Sequence, residues 1–320
     1  MVKIGVISNP LSERNKKGLA KVEKFLVRHP DIDHRRLDNF DQLSDAVAAF
    51  KKAQVDIIVI NGGDGTVQAT LTELFGDGLW EKAPTLAVLS SGMTNLIAAD
   101  AGVRGTPARG LKRVIACVDR GELSRRVVSR YVMRMEFGLE KGPVFGMFFG
   151  AAGIYRAIQV CREKVHSLGF QSSVAVGLTI AALVANWLLP WRKNAGVFRG
   201  DTIAADLDGD ETLERSYFLM MVTTLDRLML GIRPYWGWQR GPLRFTGVTF
   251  PPERFALSLP WLLYGGRERS LPEDCYLTRS ADVITLNLDS PFTLDGELYE
   301  PAPGRPVEIA GAGKARFLKL

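Results

Sequence analysis

The sequence predicts an α/β protein: an N-terminal open parallel sheet flanked by helices, followed by a second, mainly antiparallel β domain. Three observations lead to this fold class. The chain has 320 residues, long enough for two domains that share an interface. Strand-like and helix-like segments alternate as far as Arg120, which is typical of parallel sheets with right-handed crossovers. After Gly121, strand-like segments follow one another between Gly, Pro and Asp residues, which is typical of antiparallel sheet.

In the first half, apolar and amphipathic blocks predict strands and helices in turn. The predicted strands are Val2–Ser8, Asp31–Leu37, Val55–Ile60 and Thr85–Leu89. The predicted helices are Lys16–His29, Asp41–Ala53 and Val67–Phe75. Val55–Ile60 is rich in β-branched residues, which is typical of a central parallel strand buried on both faces. The unit of strand, turn and helix therefore repeats along the first half.

The second half reads mainly as short strands. They are predicted at Val127–Phe137, Val144–Phe149, Tyr217–Thr224, Leu243–Phe250, Arg254–Leu259 and Asp282–Leu288. Ser167–Trp191 differs, because it has no charged residue and its apolar side chains recur at helical spacing. Its length matches a bilayer crossing, but polar residues such as Asn186 dilute it. A buried or interface-facing helix is favoured, and a helix that dips into a membrane or spans it stays open.

The composition is that of a folded globular protein. Hydrophobic residues make up 46% and charged residues 24% of the chain, which excludes a disordered chain and a polytopic membrane protein. The net charge of +6 reflects either a solvated surface or an anionic partner, such as a membrane surface or nucleotide phosphates. Three widely separated cysteines fit reduced thiols. No export leader precedes the first strand, so a cytoplasmic location is expected.

The strongest local signal is the first glycine turn, which lies between an apolar strand and a helix: Gly62-Gly63-Asp64-Gly65-Thr66. Glycines let backbone amides approach phosphate oxygens, and the following helix N-terminus adds partial positive charge. Thr66 can donate its hydroxyl to a phosphate. The Asp64 carboxylate suits Mg²⁺ binding or deprotonation of an acceptor alcohol. A plain turn with an N-capping Asp64 is the alternative.

A second glycine turn follows the next predicted strand: Ser90-Ser91-Gly92-Met93-Thr94-Asn95. In a parallel sheet both turns open at the carboxyl edge, where ligands bind, so the two turns are expected to face one pocket. An ordinary connection capped by Thr94 or Asn95 is the alternative. The chain lacks the Walker A spacing and the Gly-x-Gly-x-x-Gly fingerprint, which disfavours two common nucleotide-binding folds.

Near the C-terminus, two carboxylates flank a glycine in Asp295-Gly296-Glu297. Glu297 is placed to accept the proton of an attacking hydroxyl, and Asp295 to orient that hydroxyl or a metal ion. Taken alone, Asp-Gly-Glu is also a common hairpin turn. The two glycine turns upstream favour the catalytic interpretation.

Together these motifs resemble the diacylglycerol kinase catalytic family, which includes bacterial lipid kinases and sphingosine kinases. The resemblance rests on landmarks in order along nearly the whole chain: Asn9-Pro10, the two glycine turns, Phe149-Gly150 with Gly153, and Asp295-Gly296-Glu297. It implies a nucleotide domain like that of NAD kinases and phosphofructokinases, followed by a β-rich lipid-binding domain, with the active site in the cleft between them. We expect the first domain at 1–123, joined by 304–320, and the second at 124–303.

The resemblance also implies a function, an ATP-dependent kinase that phosphorylates a lipid hydroxyl such as that of diacylglycerol. ATP and Mg²⁺ would contact Asn9, the first glycine turn with Gln68, and the second glycine turn. Asp64 and Asp295 would hold the metal, and Glu297 would be the general base. The expected partner is a lipid at the membrane surface, with peripheral contact at its inner face and no nucleic acid. The sequence predicts neither which lipid is used nor the oligomeric state.

The chain departs from the family pattern at several positions. At the second glycine turn, family members carry Gly-Thr-x-Asn-Asp, whereas this chain has Met93 in place of the Thr and Leu96 in place of the Asp. After the first glycine turn, family members often carry Asn-Glu, whereas this chain has Gln68-Ala69. Pro234–Pro242 replaces a region that holds a structural Mg²⁺ in some bacterial members. Its aromatic residues, Tyr235, Trp236 and Trp238, suit an acyl-chain groove, a lipid interface or core packing. Two further functions stay open. One is a soluble-metabolite kinase of the NAD type, which the missing Asn-Glu disfavours. The other is a nucleotide- or lipid-binding protein that has lost turnover through the changes at Met93 and Leu96.

Overall fold

The structure, a computed structural model, describes residues 2–76, 80, 83–140, 142–168, 199–237, 241–266 and 271–320. The chain divides into two compact units. The first unit comprises Met1–Val132, Leu228–Leu230 and Gly313–Leu320. The second unit comprises Met133–Arg227 and Gly231–Ala312. The domain limits expected from the sequence, 1–123 with 304–320 and 124–303, stay predictions.

A parallel sheet forms the centre of the first unit. Its strands are β1 (Ile4–Ser8), β2 (Asp33–Arg36), β3 (Ile57–Gly62) and β4 (Thr85–Ser90), which lie in the order β4-β3-β1-β2. The end of a strand near the C-terminus, β15 (Val307–Leu318), pairs in parallel with β4. Every residue of β1 and β3 is buried. This burial explains their nearly continuous apolar sequences, because a parallel strand is covered on both faces.

Amphipathic helices connect the strands of the first unit. They are α1 (Asn15–Leu26), α2 (Gln42–Lys52), α3 (Asp64–Gly76), α4 (Leu96–Ala101), α5 (Pro107–Asp119) and α6 (Leu123–Arg126). In α1 the buried residues Leu19, Val22 and Leu26 recur at helical spacing. Leu111 and Val114 of α5 belong to the same hydrophobic cluster, which also includes Val6 and Val59 of the sheet.

The second unit consists mainly of antiparallel strands. They are β5 (Val127–Glu136), which starts in the first unit, β6 (Val144–Gly146), β7 (Phe148–Ala152), β8 (Asp201–Leu207), β9 (Glu211–Thr223), β10 (Leu243–Thr249), β11 (Tyr276–Ala281), β12 (Val283–Asn287), β13 (Phe292–Leu294), β14 (Glu297–Tyr299) and the beginning of β15. β9 pairs with β7, β8 and β10, each in antiparallel orientation. Among the described residues of this unit, two α-helices accompany the strands, α7 (Gly153–Leu168) and α8 (Phe255–Tyr264).

The core of the second unit is rich in aromatic side chains. The Phe137 ring meets that of Phe292 edge-on, with ring centroids 5.0 Å apart. Tyr217 and Phe245 form a second edge-on pair at 6.2 Å. Burial raises the pKa of Tyr217 to about 12, so this phenol stays neutral and donates a hydrogen bond to the Leu213 carbonyl. The unit therefore has a hydrophobic core of its own.

The predicted fold class is confirmed, with two local differences. The predicted strand Arg254–Leu259 is wrong, because this stretch belongs to helix α8. Its buried residues Phe255, Ser258 and Leu262 are three and four positions apart, which is the spacing of one helix face. The helix predicted from Val67 begins earlier, at Asp64, so the first glycine turn is shorter than its sequence indicates.

The apolar segment Ser167–Trp191 lies outside the described residues from 169 onward, as does Trp238 of the aromatic region. Within the described parts of the chain, no helix combines the length and the apolar character needed to cross a bilayer. Trp236 packs against the hydrophobic cluster beneath α8. The Tyr235 hydroxyl donates to the Leu225 carbonyl at 2.9 Å.

Candidate active site

The first glycine turn joins β3 to α3 through a single residue, Gly63. β3 ends at Gly62 and α3 begins at Asp64. The amides in the first turn of a helix have no acceptor within the helix, and together with the helix dipole they favour a bound anion. The amides of Asp64 and Gly65 are therefore placed to bind phosphate oxygens.

The two glycine turns touch each other. A Cβ built on Gly92 would lie 2.7 Å from the Gly63 Cα atom, closer than two carbon atoms normally approach. A Cβ on Gly63 would lie 3.3 Å from the Gly92 Cα atom. Only residues without a side chain allow this approach. The structure thus brings the two sequence motifs together at the carboxyl edge of β3 and β4.

Asp64 connects the first glycine turn to the second. Its carboxylate is buried and accepts hydrogen bonds from the Thr94 hydroxyl at 2.7 Å and from the amides of Leu96 and Ile97 at 3.0 and 3.2 Å. Burial raises the pKa of Asp64, and these hydrogen bonds offset part of that rise. Asp64 therefore caps the start of α4, a role that its position in the sequence does not reveal. Its predicted metal binding stays a prediction.

Side chains of the β1–α1 loop complete the surroundings of the first glycine turn. Asn9 Nδ2 donates to the Thr66 hydroxyl oxygen at 3.0 Å, which leaves the hydroxyl proton of Thr66 for another acceptor. The Gly63 amide donates to the Ser12 hydroxyl at 3.2 Å. Asn9 and Thr66 were both predicted site residues, and the structure places them in contact. Gln68 follows on the buried part of α3.

The second glycine turn is held by its own asparagine. Asn95 has a left-handed backbone, with φ of 52°, which asparagine tolerates better than most residues. Its side chain accepts from the Gly92 amide at 2.8 Å and donates to the Gly92 carbonyl at 2.7 Å. Met93 and Thr94 lie between them and are partly exposed. The predicted residues of this turn therefore form one compact loop beside the first glycine turn.

A buried polar network that the sequence interpretation missed lies below both turns. Asn61, the residue before Gly62, is fully buried, and its side chain accepts from the Ser91 hydroxyl at 2.5 Å and donates to the Ser8 hydroxyl at 3.2 Å. Asn15 Nδ2 donates to the Asn61 carbonyl at 2.9 Å. Asn15 Oδ1 is buried and has no hydrogen-bond partner in the described part of the chain. Ser8, Asn61 and Ser91 lie at or beside the ends of apolar strands, and this pattern in the sequence could have indicated the network.

Some of the basic side chains that contribute to the net positive charge are used inside the fold. The Arg130 guanidinium forms a two-pronged ion pair with Asp100 of α4, with contacts of 2.6 and 3.2 Å. Asp100 is fully buried and Arg130 nearly so. This pair ties β5 to the helix that follows the second glycine turn, so one of the charges that suggested an anionic partner is used internally.

Asp295 and Gly296 form the two-residue loop of the β13–β14 hairpin. Their φ angles are 48° and 87°, as a type I′ turn requires. The Asp295 carboxylate is buried and accepts from the amides of Met147 and Phe148, both at 2.9 Å. Glu297 is the first residue of β14 and is exposed. The hairpin interpretation of this motif is therefore correct for its backbone, and the catalytic roles of both carboxylates stay predictions.

Residues 3–122 match the family model of the diacylglycerol kinase catalytic domain. The resemblance seen in the sequence is confirmed. Both glycine turns lie inside the matched residues, whereas Asp295 and Glu297 lie outside them. No curated protein sequence matches this chain.

Three solved structures of proteins from Bacillus anthracis str. Sterne are similar to this chain. One provisionally named diacylglycerol kinase has a TM-score of 0.68 at 18% identity and another has 0.66 at 19% identity. A third, named as a diacylglycerol kinase, has 0.63 at 17%. Each comparison covers 99% of this chain and 97% of the other. At such identities the likeness concerns the fold, and it extends over both units of the chain.

The residues of the first glycine turn fit the nucleotide that a kinase domain of this family implies. The α3 amides and the Thr66 hydroxyl supply donors for phosphate oxygens. Among the described residues, no three His, Cys, Asp or Glu side chains lie close enough together to hold a metal ion by themselves. Mg²⁺ on a nucleotide needs only one or two carboxylates besides the phosphates, so Asp64 stays the candidate ligand.

A separate groove of about 330 Å³ runs along α2 and α3, and Lys51, Glu73 and Trp80 contribute to its lining. None of the predicted site residues lines it. Its described lining residues include one carboxylate, that of Glu73, and no His, Cys or Asp. We therefore do not assign the kinase chemistry to it.

The contact between the glycine turns leads to a prediction for Gly92→Ala. The added methyl group would press on Gly63, so the turns must separate, and we expect at least tenfold weaker ATP binding. Overpacking of this kind costs about 1–3 kcal/mol of unfolding free energy. Calorimetric titration with ATP and denaturant unfolding measure the two effects.

Gly18→Ala is the matched control, because a Cβ at this position in α1 would have no neighbour within 4 Å. It should leave ATP binding unchanged and raise the unfolding free energy by about 0.5–1 kcal/mol. Equal ATP affinity in the two variants would show that the close approach of the turns is not needed for nucleotide binding.

Proposed function

We propose that this protein is an ATP-dependent lipid kinase that transfers the γ-phosphoryl group to a lipid hydroxyl such as that of diacylglycerol. The observation that supports it most is the contact of Gly63 with Gly92 beside the start of α3, within the residues that match the diacylglycerol kinase catalytic domain. The proposal places the protein in the cytoplasm, working peripherally at the inner face of the membrane where its substrate lies.

In the proposed mechanism, the nucleotide is bound by the two glycine turns together with Asn9 and Gln68. The amides at the start of α3 and the Thr66 hydroxyl hold phosphate oxygens, and Asn9 fixes the direction in which that hydroxyl points. Asp64 holds the second glycine turn in place, and Asp64 and Asp295 would supply the carboxylates that hold Mg²⁺ on the nucleotide. Fixed donors of this kind stabilise charge on a transferring phosphoryl group.

Glu297 acts as the general base. Its carboxylate accepts the proton of the lipid hydroxyl as the hydroxyl oxygen bonds to the γ-phosphorus and the bond to the bridging oxygen breaks. Magnesium-bound ATP supplies the phosphoryl group, and ADP leaves. Proton transfer by a positioned side chain contributes about 10²- to 10⁴-fold to such a rate.

Radiolabelled ATP and a panel of acceptors test the proposal with the purified chain. The panel contains diacylglycerol, phosphatidylglycerol, sphingosine and ceramide in detergent micelles, and NAD as a soluble acceptor. We expect label in at least one lipid and none in NAD. The lipid that accepts label also identifies the substrate class, which depends on the shape of the pocket.

Two results would overturn the proposal. Label in NAD alone would make the protein a soluble-metabolite kinase. ATP binding by calorimetry with no transfer to any acceptor would make it a binding protein without turnover, in which Met93 and Leu96 stand where family members carry Thr and Asp.

A further inference from the structure

Helix α8 presents an exposed apolar face. Leu257, Trp261 and Tyr264 are four and three positions apart, so they lie on one side of the helix. Their exposed fractions are 74%, 63% and 59%. Large apolar side chains that are exposed singly are ordinary, but a cluster of three on one helix face marks an interaction site.

The opposite face of α8 is firmly attached to the second unit. Phe255 and Leu262 are buried in a cluster with Phe218 of β9, Val248 of β10 and Tyr276 of β11. The Phe255 and Phe218 rings meet edge-on, with centroids 5.2 Å apart. The helix is therefore a rigid platform, and the exposure of its outer face does not come from a loosely attached segment.

The chemistry of the outer face favours a lipid bilayer as the partner. The sequence of α8, FALSLPWLLY, contains no charged residue. Trp and Tyr concentrate at the boundary between headgroups and acyl chains, because each ring combines a large apolar body with a polar group. A helix that lies in this boundary buries its apolar face a few ångströms deep while its backbone stays parallel to the surface.

Basic residues flank α8 at both ends. Arg254 immediately precedes the helix and is exposed. Arg233 is also exposed, and its amide donates to the Leu263 carbonyl at 2.9 Å, which places this residue beside the C-terminal turn. Glu253 is an acidic neighbour at the N-terminal end. Arginines around an apolar face complement an anionic membrane surface, and the whole chain carries a net charge of +6.

We propose that α8 is the membrane-docking element of this protein, with Leu257, Trp261 and Tyr264 inserted into the interfacial layer of an anionic bilayer and Arg254 and Arg233 against lipid phosphates. The choice of a bilayer as partner rests in part on the proposed lipid kinase function. The docking itself requires neither ATP nor turnover, and it can be measured separately.

The test is sedimentation of the full chain with vesicles in the absence of ATP and Mg²⁺. Vesicles of phosphatidylcholine with about a third phosphatidylglycerol should bind the protein, and vesicles of pure phosphatidylcholine should bind it more weakly. The triple variant Leu257→Ser, Trp261→Ser, Tyr264→Ser should partition about 10²- to 10³-fold more weakly, because each apolar side chain withdrawn from the bilayer is worth up to roughly a factor of ten.

The control variant is Val27→Ser, because Val27 is 81% exposed at the end of α1 and should not affect vesicle binding. Quenching of tryptophan fluorescence by brominated lipids provides a second readout, and this quenching should be weaker in Trp261→Phe. Wild-type protein that stays in the supernatant, or a triple variant that binds as well as wild type, overturns the proposal. The proposal is also overturned if light scattering shows a dimer for the wild type and a monomer for the triple variant, because a second copy of the chain would then cover this face.

Transfer to a water-soluble short-chain diacylglycerol separates this proposal from the proposed function. A triple variant that keeps this transfer but loses vesicle binding supports both. If neither the wild type nor the triple variant phosphorylates any lipid while vesicle binding still depends on α8, the kinase proposal fails and the docking proposal stands.

Discussion

Replacing Asp64 by alanine is expected to abolish ATP binding and to lower the free energy of unfolding by about 1–3 kcal/mol. The carboxylate accepts from the Thr94 hydroxyl and from the amides of Leu96 and Ile97, so alanine leaves buried donors without an acceptor. Burial makes the charged form of Asp64 costly and raises its pKa. Removing the carboxylate relieves this cost. The loss in stability is therefore moderate, and the loss of binding comes from a displaced second glycine turn.

The matched control is Asp45→Ala. Asp45 is also in the first turn of a helix, α2, but it is exposed. Its replacement should cost no more than about 1 kcal/mol, the value of an acidic side chain near a helix N-terminus, and should leave ATP affinity unchanged. Denaturant unfolding and calorimetric titration check both variants. Unaltered ATP affinity in Asp64→Ala would remove Asp64 from the nucleotide site.

Asp64→Asn separates the two roles given to Asp64. Asparagine keeps one oxygen acceptor for the amides of α4 but loses the negative charge. If Asp64 only caps α4, the variant should keep much of its ATP affinity. If it also holds Mg²⁺, ATP affinity should fall most when Mg²⁺ is present, and titrations with and without Mg²⁺ distinguish the two outcomes.

The fold class and the positions of the glycine turns could be predicted because their causes are local. β3 is a β-branched run that a parallel sheet buries on both faces, and Gly62-Gly63 follows it directly. The type I′ hairpin at Asp295-Gly296 is equally local, since Asp-Gly is a preferred pair for that turn. Such signals depend on residues a few positions apart, and sequence reasoning detects them.

The contacts that organise the site were beyond prediction because they join distant parts of the chain. Nothing in the sequence near Asp64 indicates that its carboxylate caps α4, some thirty residues later. The hydrogen bonds that join Asn61 with Ser8 and with Ser91 also connect residues far apart in the sequence. These contacts depend on the order of strands in the sheet, which brings the ends of β1, β3 and β4 side by side.

Helix α8 shows how a local signal misleads. Pro260 lies inside the helix, and proline normally interrupts a helix because it lacks an amide hydrogen and clashes with the preceding turn. The predicted strand therefore stopped at Leu259. Burial of Phe255, Ser258 and Leu262 against three strands outweighs the cost of one proline, so tertiary packing decides the structure of this segment.

Replacing Glu297 by glutamine is expected to reduce lipid phosphorylation by about 10²- to 10⁴-fold, the usual contribution of a general base. Glutamine has nearly the same shape but cannot accept the proton of the lipid hydroxyl. Because Glu297 is exposed at the start of β14, the free energy of unfolding should not change. ATP affinity should also stay the same, since the nucleotide is assigned to the first unit. Initial rates with labelled ATP, calorimetry and denaturant unfolding measure the three quantities.

Glu300→Gln is the control for Glu297→Gln, because Glu300 is an exposed glutamate three positions later in the chain and its replacement should leave the rate unchanged. Asp295→Asn should behave differently from both. Its buried carboxylate accepts from the amides of Met147 and Phe148, so this variant should lose stability as well as activity. A rate in Glu297→Gln equal to that of wild type would exclude Glu297 as the base, and Asp295 would then be the remaining acidic candidate in this hairpin.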